Sequence, residues 1–234
     1  MNNYERFLLK ISGESLGQDN KVLDFEKIEK LSNIIVDVWR NKKKLAIVVG
    51  GGNIFRGRNG REKTDSVNND FMGMTATVVN ALALGGEIKR LGGKVKIMSA
   101  LAGYGEMEMY QAKKAKEYLE ENHILVLGGG SGRPGITTDT TSAQRAKDLD
   151  CQVVLKASTV DGVYDKDPKI YPEAKKYDKL GFNEAIEKNL KIMDKEAFEI
   201  CRENNIEIIV FNSIDNLNIK KIIDGETIGT VVRK

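Results

Sequence analysis

The sequence predicts an α/β fold built on a mostly parallel sheet. Strand-like apolar runs alternate with amphipathic helix-like runs along nearly the whole chain, the pattern left by parallel strands joined through crossover helices. Three of the strand-like runs pass straight into glycine turns carrying polar or charged residues: 7–13 (FLLKISG), 45–53 (LAIVVGGGN) and 124–132 (ILVLGGGSG). Glycine permits positive φ and close backbone approach. Such turns at the carboxyl ends of buried strands make anion-binding concavities. Three in one chain imply a site that holds several phosphates. At 234 residues the chain has core enough for one large domain or two small ones.

The elements follow in order. After the first strand, Asp24 is placed to cap a helix whose apolar residues Phe25, Ile28, Leu31, Ile34 and Val38 recur at helical spacing. A strand at 45–49 leads into the triple glycine. A helix over about 70–91, rich in Met, Ala and Val, reads as well buried. Residues 94–99 read as a strand, 106–122 as an amphipathic helix, 124–127 as a strand, and 138–149 as a helix. A further buried strand spans 151–157. Beyond it the texture changes: 161–179 is turn-rich, holds two of the three prolines, and reads as a surface-lying lid. Helices near 183–190 and 194–203, a strand at 206–211, a helix near 217–224 and a strand at 228–232 close the chain. There are no internal repeats or low-complexity stretches.

Composition excludes several functions. Net charge is only +3 with 30% charged residues, and the lysines are dispersed, so no nucleic-acid footprint is present. No continuous apolar run nears the ~20 residues of a membrane span. The N-terminal MNNYERF lacks a targeting pattern, and a cytoplasmic location is expected. Cys151 and Cys201 stand far apart and read as buried small hydrophobes rather than a disulfide. The single histidine, His123, has no partners at metal-ligand or triad spacing, so zinc and Ser–His–Asp chemistry lack support. No Gly-Lys-Ser or Gly-Lys-Thr occurs, which excludes a P-loop of the usual kind. Gly130-Ser-Gly132-Arg-Pro-Gly135 matches a dinucleotide fingerprint formally, but the next strand ends in Lys156-Ala-Ser158, without the acidic residue a ribose needs.

Two lysines carry the chemistry. Lys10 sits inside the apolar strand LLKISG and Lys156 at the end of VVLKAS. A lysine in a buried strand is costly unless its ammonium meets an anion, although one at a strand end can also snorkel to water. Two such lysines in a chain rich in glycine turns suit charge neutralisation on a transferring phosphoryl group. Asp139, after two threonines, suits either a helix cap or an active-site carboxylate. Arg56, just past a glycine turn, has the fork for bidentate phosphate binding or is an ordinary surface arginine. Asp70 could equally cap the following helix, and Tyr164 could serve packing or neighbour an adenine.

The motifs KISGE (10–14), GGGNIFRG (50–57), DFMGMTATVVNALA (70–83), TTDTTSA (137–143) and VVLKASTVDGVYDKDP (153–168) resemble the amino acid kinase family. KIMDKEAF (191–198) and IIVFN (208–212) extend the resemblance through the tail. Within the family it points to the bacterial branch that phosphorylates UMP. It implies a three-layer αβα sandwich with a mostly parallel central sheet, in a single domain over 1–234 with an acceptor half near 1–130 and an ATP-binding half near 131–234. It also implies ATP as donor, UMP as acceptor, Mg²⁺ bound with ATP, a role in pyrimidine nucleotide synthesis, and a homohexamer. Carried over by position, Lys10, Ile11, Ser12 and Gly13 contact the ATP phosphates with Gly52 and Asn53 alongside. Gly51 and Arg56 hold the UMP phosphate, with Arg56 also within reach of ATP, and Asp70 bonds the UMP ribose. Ser131, Gly132, Arg133, Pro134, Gly135, Ile136, Thr137 and Thr138 surround UMP. Ser158, Tyr164 and Asp167 flank ATP, while Lys10, Lys156 and Asp139 are the catalytic group; no protein metal site is implied.

Two departures stand out. The usual bacterial loop reads roughly Thr-Gly-Asn-Pro-Phe-Phe, whereas this chain has Ser131-Gly-Arg133-Pro-Gly135-Ile136, closer to archaeal relatives. An asparagine that donates and accepts is thus replaced by an arginine that only donates. Residues 16–20 are also shorter than the glycine-containing segment tied to GTP activation in some relatives. Another small acceptor on the same fold, such as carbamate, acetylglutamate or isopentenyl phosphate, and a non-catalytic nucleotide-binding regulator are the alternatives.

Overall fold

The computed structural model describes residues 4–18, 20–55, 65–102, 105–190, 193–213 and 215–234. Its centre is strand β1 (Arg6–Ile11), buried on both faces and paired in parallel with β2 (Lys44–Val49) and β6 (Val153–Ser158). Beyond β2 lie β5 (Ile124–Gly128), β3 (Val95–Ser99) and the edge strand β4 (Met107–Met109), all parallel. Beyond β6 lie β10 (Glu207–Asn212), β11 (Thr230–Arg233) and β9 (Lys179–Gly181). Among the described residues this nine-stranded sheet has one antiparallel pair, β10 with β11.

Period-two alternation sends successive side chains to opposite faces. Phe7, Leu9 and Ile11 join a core with α1 (Phe25–Arg40), α2 (Ser66–Arg90) and α7 (Leu217–Ile223). Leu8 and Val154 join the opposite core with α3 (Ala112–Glu120), α4 (Thr138–Asp148), α5 (Phe182–Glu187) and α6 (Lys195–Glu203). The result is the three-layer αβα sandwich. Lys10 and Lys156 belong by parity to the second face, toward α4.

Local chemistry explains the boundaries. Asp24 caps α1, accepting from Glu26 N at 3.0 Å and Lys27 N at 3.3 Å. The cap of α2 is Asp65, which accepts from Asn68 N. That helix therefore starts four residues before the expected position, and Asp70 lies inside it rather than at its cap. Although the sequence has no long uninterrupted apolar run, α2 is long and apolar enough by length and composition to cross a membrane. In this fold half of that apolar stretch is buried, against α1 and β5.

The expected helix at 106–122 divides. Residues Met107–Met109 form β4, because the open edge of β3 supplies backbone partners that override helical spacing, and only Ala112–Glu120 is helical. The turn-rich segment is more ordered than a lid alone: β7 (Val163–Tyr164) and β8 (Lys176–Tyr177) form a small antiparallel hairpin, and β9 joins the main sheet. Thr230 latches that hairpin, its hydroxyl accepting from Val163 N at 2.8 Å and donating to Tyr177 O.

Cys151 and Cys201 are buried and free, and burial pushes both thiols up to about 12. His123 is buried with its ring edge-on to Tyr118, and burial lowers its pKa.

Candidate active site

The centre of the site is fixed by sheet register. Lys10 and Lys156 are Cα partners on adjacent parallel strands, so their side chains leave the same face side by side. Two ammonium groups packed this way need a shared anion. Asp139, in the first turn of α4, supplies it: Lys10 Nζ lies 3.3 Å from Oδ1 and Lys156 Nζ 2.5 Å from Oδ2. Asp139 is thus not the helix cap. That role falls to Thr137, whose side chain accepts from Thr140 N at 3.1 Å. Lys156 is only 8% exposed. Burial lowers its pKa, the Asp139 carboxylate pulls it back up, and the Lys10 charge pushes it down.

Two cavities flank this group. The larger, about 580 Å³, has Lys10, Lys156, Ser12 and Ser158 in its wall. Glu14, Ser15, Lys27, Lys30, Ala157, Thr159, Ser213 and Asn216 complete that wall and were not picked out as site residues by sequence. The smaller, about 390 Å³, takes Gly51, Gly52, Asp70, Gly130, Arg133, Gly135, Ile136, Thr137 and Thr138. Phe55, Asn69, Gly73, Met74, Thr77 and Thr141 also line it without having been foreseen. The first turn of α4 stands between the two, with Thr137 and Thr138 on the smaller cavity and Asp139 on the lysines.

Other residues proposed from sequence lie off these walls. Ile11 is buried in β1, and Gly13 packs under the second glycine turn, where a Cβ would come within 2.7 Å of Gly52 N. Asn53 lines neither cavity and is held by Asn80, which donates to Asn53 Oδ1 at 2.7 Å and to Gly50 O at 2.7 Å. Ser131, Gly132 and Pro134 shape the third turn without entering the wall of the smaller cavity. Tyr164 donates to Asp161 at 2.5 Å, and Asp167 accepts from Lys169 N at 2.9 Å; neither lines the larger cavity. Arg56 lies outside the described residues.

The third turn is anchored from several sides. Gly129 has φ +75° and donates its N–H to Thr77 Oγ1 of α2 at 2.7 Å. Gly130 O accepts from Arg145 Nη2 at 3.3 Å, and that guanidinium stacks 3.7 Å from the Tyr110 ring centroid. At the tip, Gly135 N donates to Asp70 Oδ2 at 2.6 Å. Thr77 and Arg145 were invisible as site supports in the sequence because their partners lie far along the chain.

Among the described residues no group of three or more His, Cys, Asp or Glu is arranged to share a metal ion. Glu14 is the carboxylate on the wall of the larger cavity. This donor set fits an ion carried mainly by phosphate oxygens, as Mg²⁺ often is.

A mostly parallel sheet carrying paired lysines on the larger cavity, with the second and third glycine turns on the smaller one, is an arrangement suited to phosphoryl transfer without a P-loop. The chain belongs to the amino acid kinase family, whose family model matches residues 5–212. It is similar to the crystal structure of a UMP kinase from Bacillus anthracis, with 33% identity, a TM-score of 0.95, and coverage of 99% of this chain and 97% of that one. A UMP kinase from Ureaplasma parvum shares 38% identity at TM-score 0.92, covering 99% of each chain. A uridylate kinase from Archaeoglobus fulgidus shares 29% identity at TM-score 0.78, covering 97% of this chain and 99% of that one.

Proposed function

We propose that this protein transfers the γ-phosphoryl group of ATP to UMP, yielding ADP and UDP for pyrimidine nucleotide synthesis. The observation that carries the reading is the Lys10–Asp139–Lys156 group, whose lysines line the larger cavity and whose Asp139 follows directly on Thr137 and Thr138 of the smaller one. The likeness to UMP kinases over almost the full chain supports the choice of acceptor.

In this reading the larger cavity takes ATP and the smaller takes UMP. The acceptor phosphate has a second pKa near ~6, so its oxygen is largely ionised at neutral pH and needs no general base. That oxygen forms a bond to the γ-phosphorus while the bond to the β–γ bridging oxygen breaks, with the two in line. Lys10 and Lys156 stabilise negative charge on the γ and bridging oxygens, and Asp139 keeps the two ammonium groups oriented. Glu14, the acid on the larger cavity's wall, would be available to a Mg²⁺ ion carried by the ATP oxygens, which would supply further charge neutralisation. Asp70 and the 131–138 loop hold the nucleoside, and Arg133 donates toward base carbonyls. The acceptor half (1–130) and ATP half (131–234) are an approximate division, since each cavity takes residues from both sides of it.

The homohexamer implied by the resemblance is also part of the proposal. The exposed stripe Val67, Phe71 and Val79 on α2 offers an apolar face for a second copy. The deciding experiment is a coupled assay with Mg-ATP against UMP, CMP, dTMP and GMP. Turnover with UMP at the highest kcat/KM is expected, and preference for another acceptor overturns the substrate assignment.

A further inference from the structure

Asp194 lines neither cavity, yet its carboxylate joins two helix N-termini. It caps α6, with Oδ1 accepting from Ala197 N at 2.9 Å. A cap needs no more than that. The same Oδ1 also accepts from Thr140 Oγ1 at 2.6 Å, and Oδ2 accepts from Thr137 Oγ1. Thr137 is itself the cap of α4, so the two helix starts are fastened by one closed set of hydrogen bonds. Thr140 is almost fully buried, where a hydroxyl must find a partner, and Asp194 is that partner. Burial pushes the Asp194 pKa up, but the hydroxyls of Thr137 and Thr140 and the Ala197 N–H outweigh it and hold it below the usual value. The group is therefore an ionised, acceptor-only clamp at neutral pH.

We propose that Asp194 is a positioning residue for phosphoryl transfer, fixing the first turn of α4 through Thr137 and Thr140 so that Asp139 stays between Lys10 and Lys156. This rests on the transfer reaction proposed above. The clamp grips α4 at positions on either side of Asp139 in sequence. A rotation of that turn would move Asp139 off the lysines and carry Thr137 and Thr138 off the acceptor wall together. Misplacement by about 1 Å can cost on the order of 100-fold in rate.

Asp194→Asn separates this role from simple capping. Asparagine caps a helix as well as aspartate does, but its amide nitrogen replaces the oxygen that holds Thr137. Thr140→Val is the second variant, removing one hydroxyl and leaving α6 capped. For both, we expect a single cooperative thermal transition with a modestly lowered midpoint and faster amide hydrogen exchange confined to 137–141. Turnover should fall on the order of 10-fold or more, acceptor KM should rise, and ATP KM should hold within about twofold of the parent value. Unchanged exchange at 137–141 overturns the proposal, and so does faster exchange with parental kcat. If the parent protein itself transfers no phosphoryl group to any acceptor, the functional reading falls. The exchange measurement still reads the clamp in that event.

Discussion

Lys10 and Lys156 are register partners on neighbouring parallel strands, and one carboxylate, that of Asp139, lies within 3.3 Å of the first ammonium and 2.5 Å of the second. Parallel pairing alone brings the two lysines together. The helix across the face supplies the charge that lets them stay.

Removing either ammonium should abolish most of the catalysis. Lys10→Ala and Lys156→Ala are each expected to lower kcat at least ~100-fold, as loss of other charge-stabilising donors does, with the far-ultraviolet circular dichroism unchanged. Near-parental turnover in either variant refutes the assignment of the lysines.

The pH dependence follows from the lowered pKa of Lys156, for which burial is the leading cause. In the proposed mechanism transfer needs the ammonium form, so activity should decline as pH rises through that lowered value. Asp139→Asn removes the charge that pulls it upward, and the alkaline limb of the pH–rate profile should move to lower pH. Stability has the opposite slope. Between the folded pKa and the ordinary value of 10.5, the unfolded chain binds more protons, so this group makes stability rise with pH. Lys156→Met should flatten that rise in chemical denaturation across the window while eliminating turnover.

Two glycines separate structure from binding. A Cβ on Gly13 would sit 2.3 Å from Asn53 Oδ1 and 2.7 Å from Gly52 N, whereas one on Gly52 meets nothing within 4 Å. Gly13→Ala should therefore lower the melting temperature. Gly52→Ala should leave it unchanged and raise a substrate KM, because the new methyl fills cavity space. Calorimetry and initial-rate kinetics on the pair distinguish the two effects.

Asn80 is wholly buried and donates to both Gly50 O and Asn53. Asn80→Ala strips the buried Gly50 carbonyl of this donor, at a cost of about 1–3 kcal/mol. Urea unfolding should show that loss, and an unaltered midpoint would mean the second turn is held by other contacts.

Arg133 lines the smaller cavity from the loop after β5. Arg133→Ala should raise the acceptor KM about tenfold, equivalent to roughly 1.4 kcal/mol, and leave the ATP KM alone. Equal changes in both constants would exclude a base-side role.

Long or well-marked elements were legible from sequence. The runs that became β1, β2, β5 and β6 are continuous and apolar, and Asp24 marks the start of α1 by its own chemistry. The strands β4, β7, β8 and β9 are two or three residues long, too short for periodicity to register, and they exist because partner backbone is available. In the site, the lysines were legible because charge in a buried strand is anomalous. Thr77, Arg145 and Asp194 were not, since a threonine in a helix or an aspartate at a cap looks ordinary until its distant partner is known.

The loop after β5 is pinned at one end by Thr77 and Arg145 and at the other by the Thr137–Asp194 clamp. Residues 131–136 span the gap between these fastenings like an exchangeable cartridge, held once more at the tip where Gly135 N donates to Asp70 Oδ2. Substitutions there can alter which acceptor is admitted without transmitting displacement to the lysines. In the proposed reaction this segment is therefore the natural place to re-engineer acceptor choice.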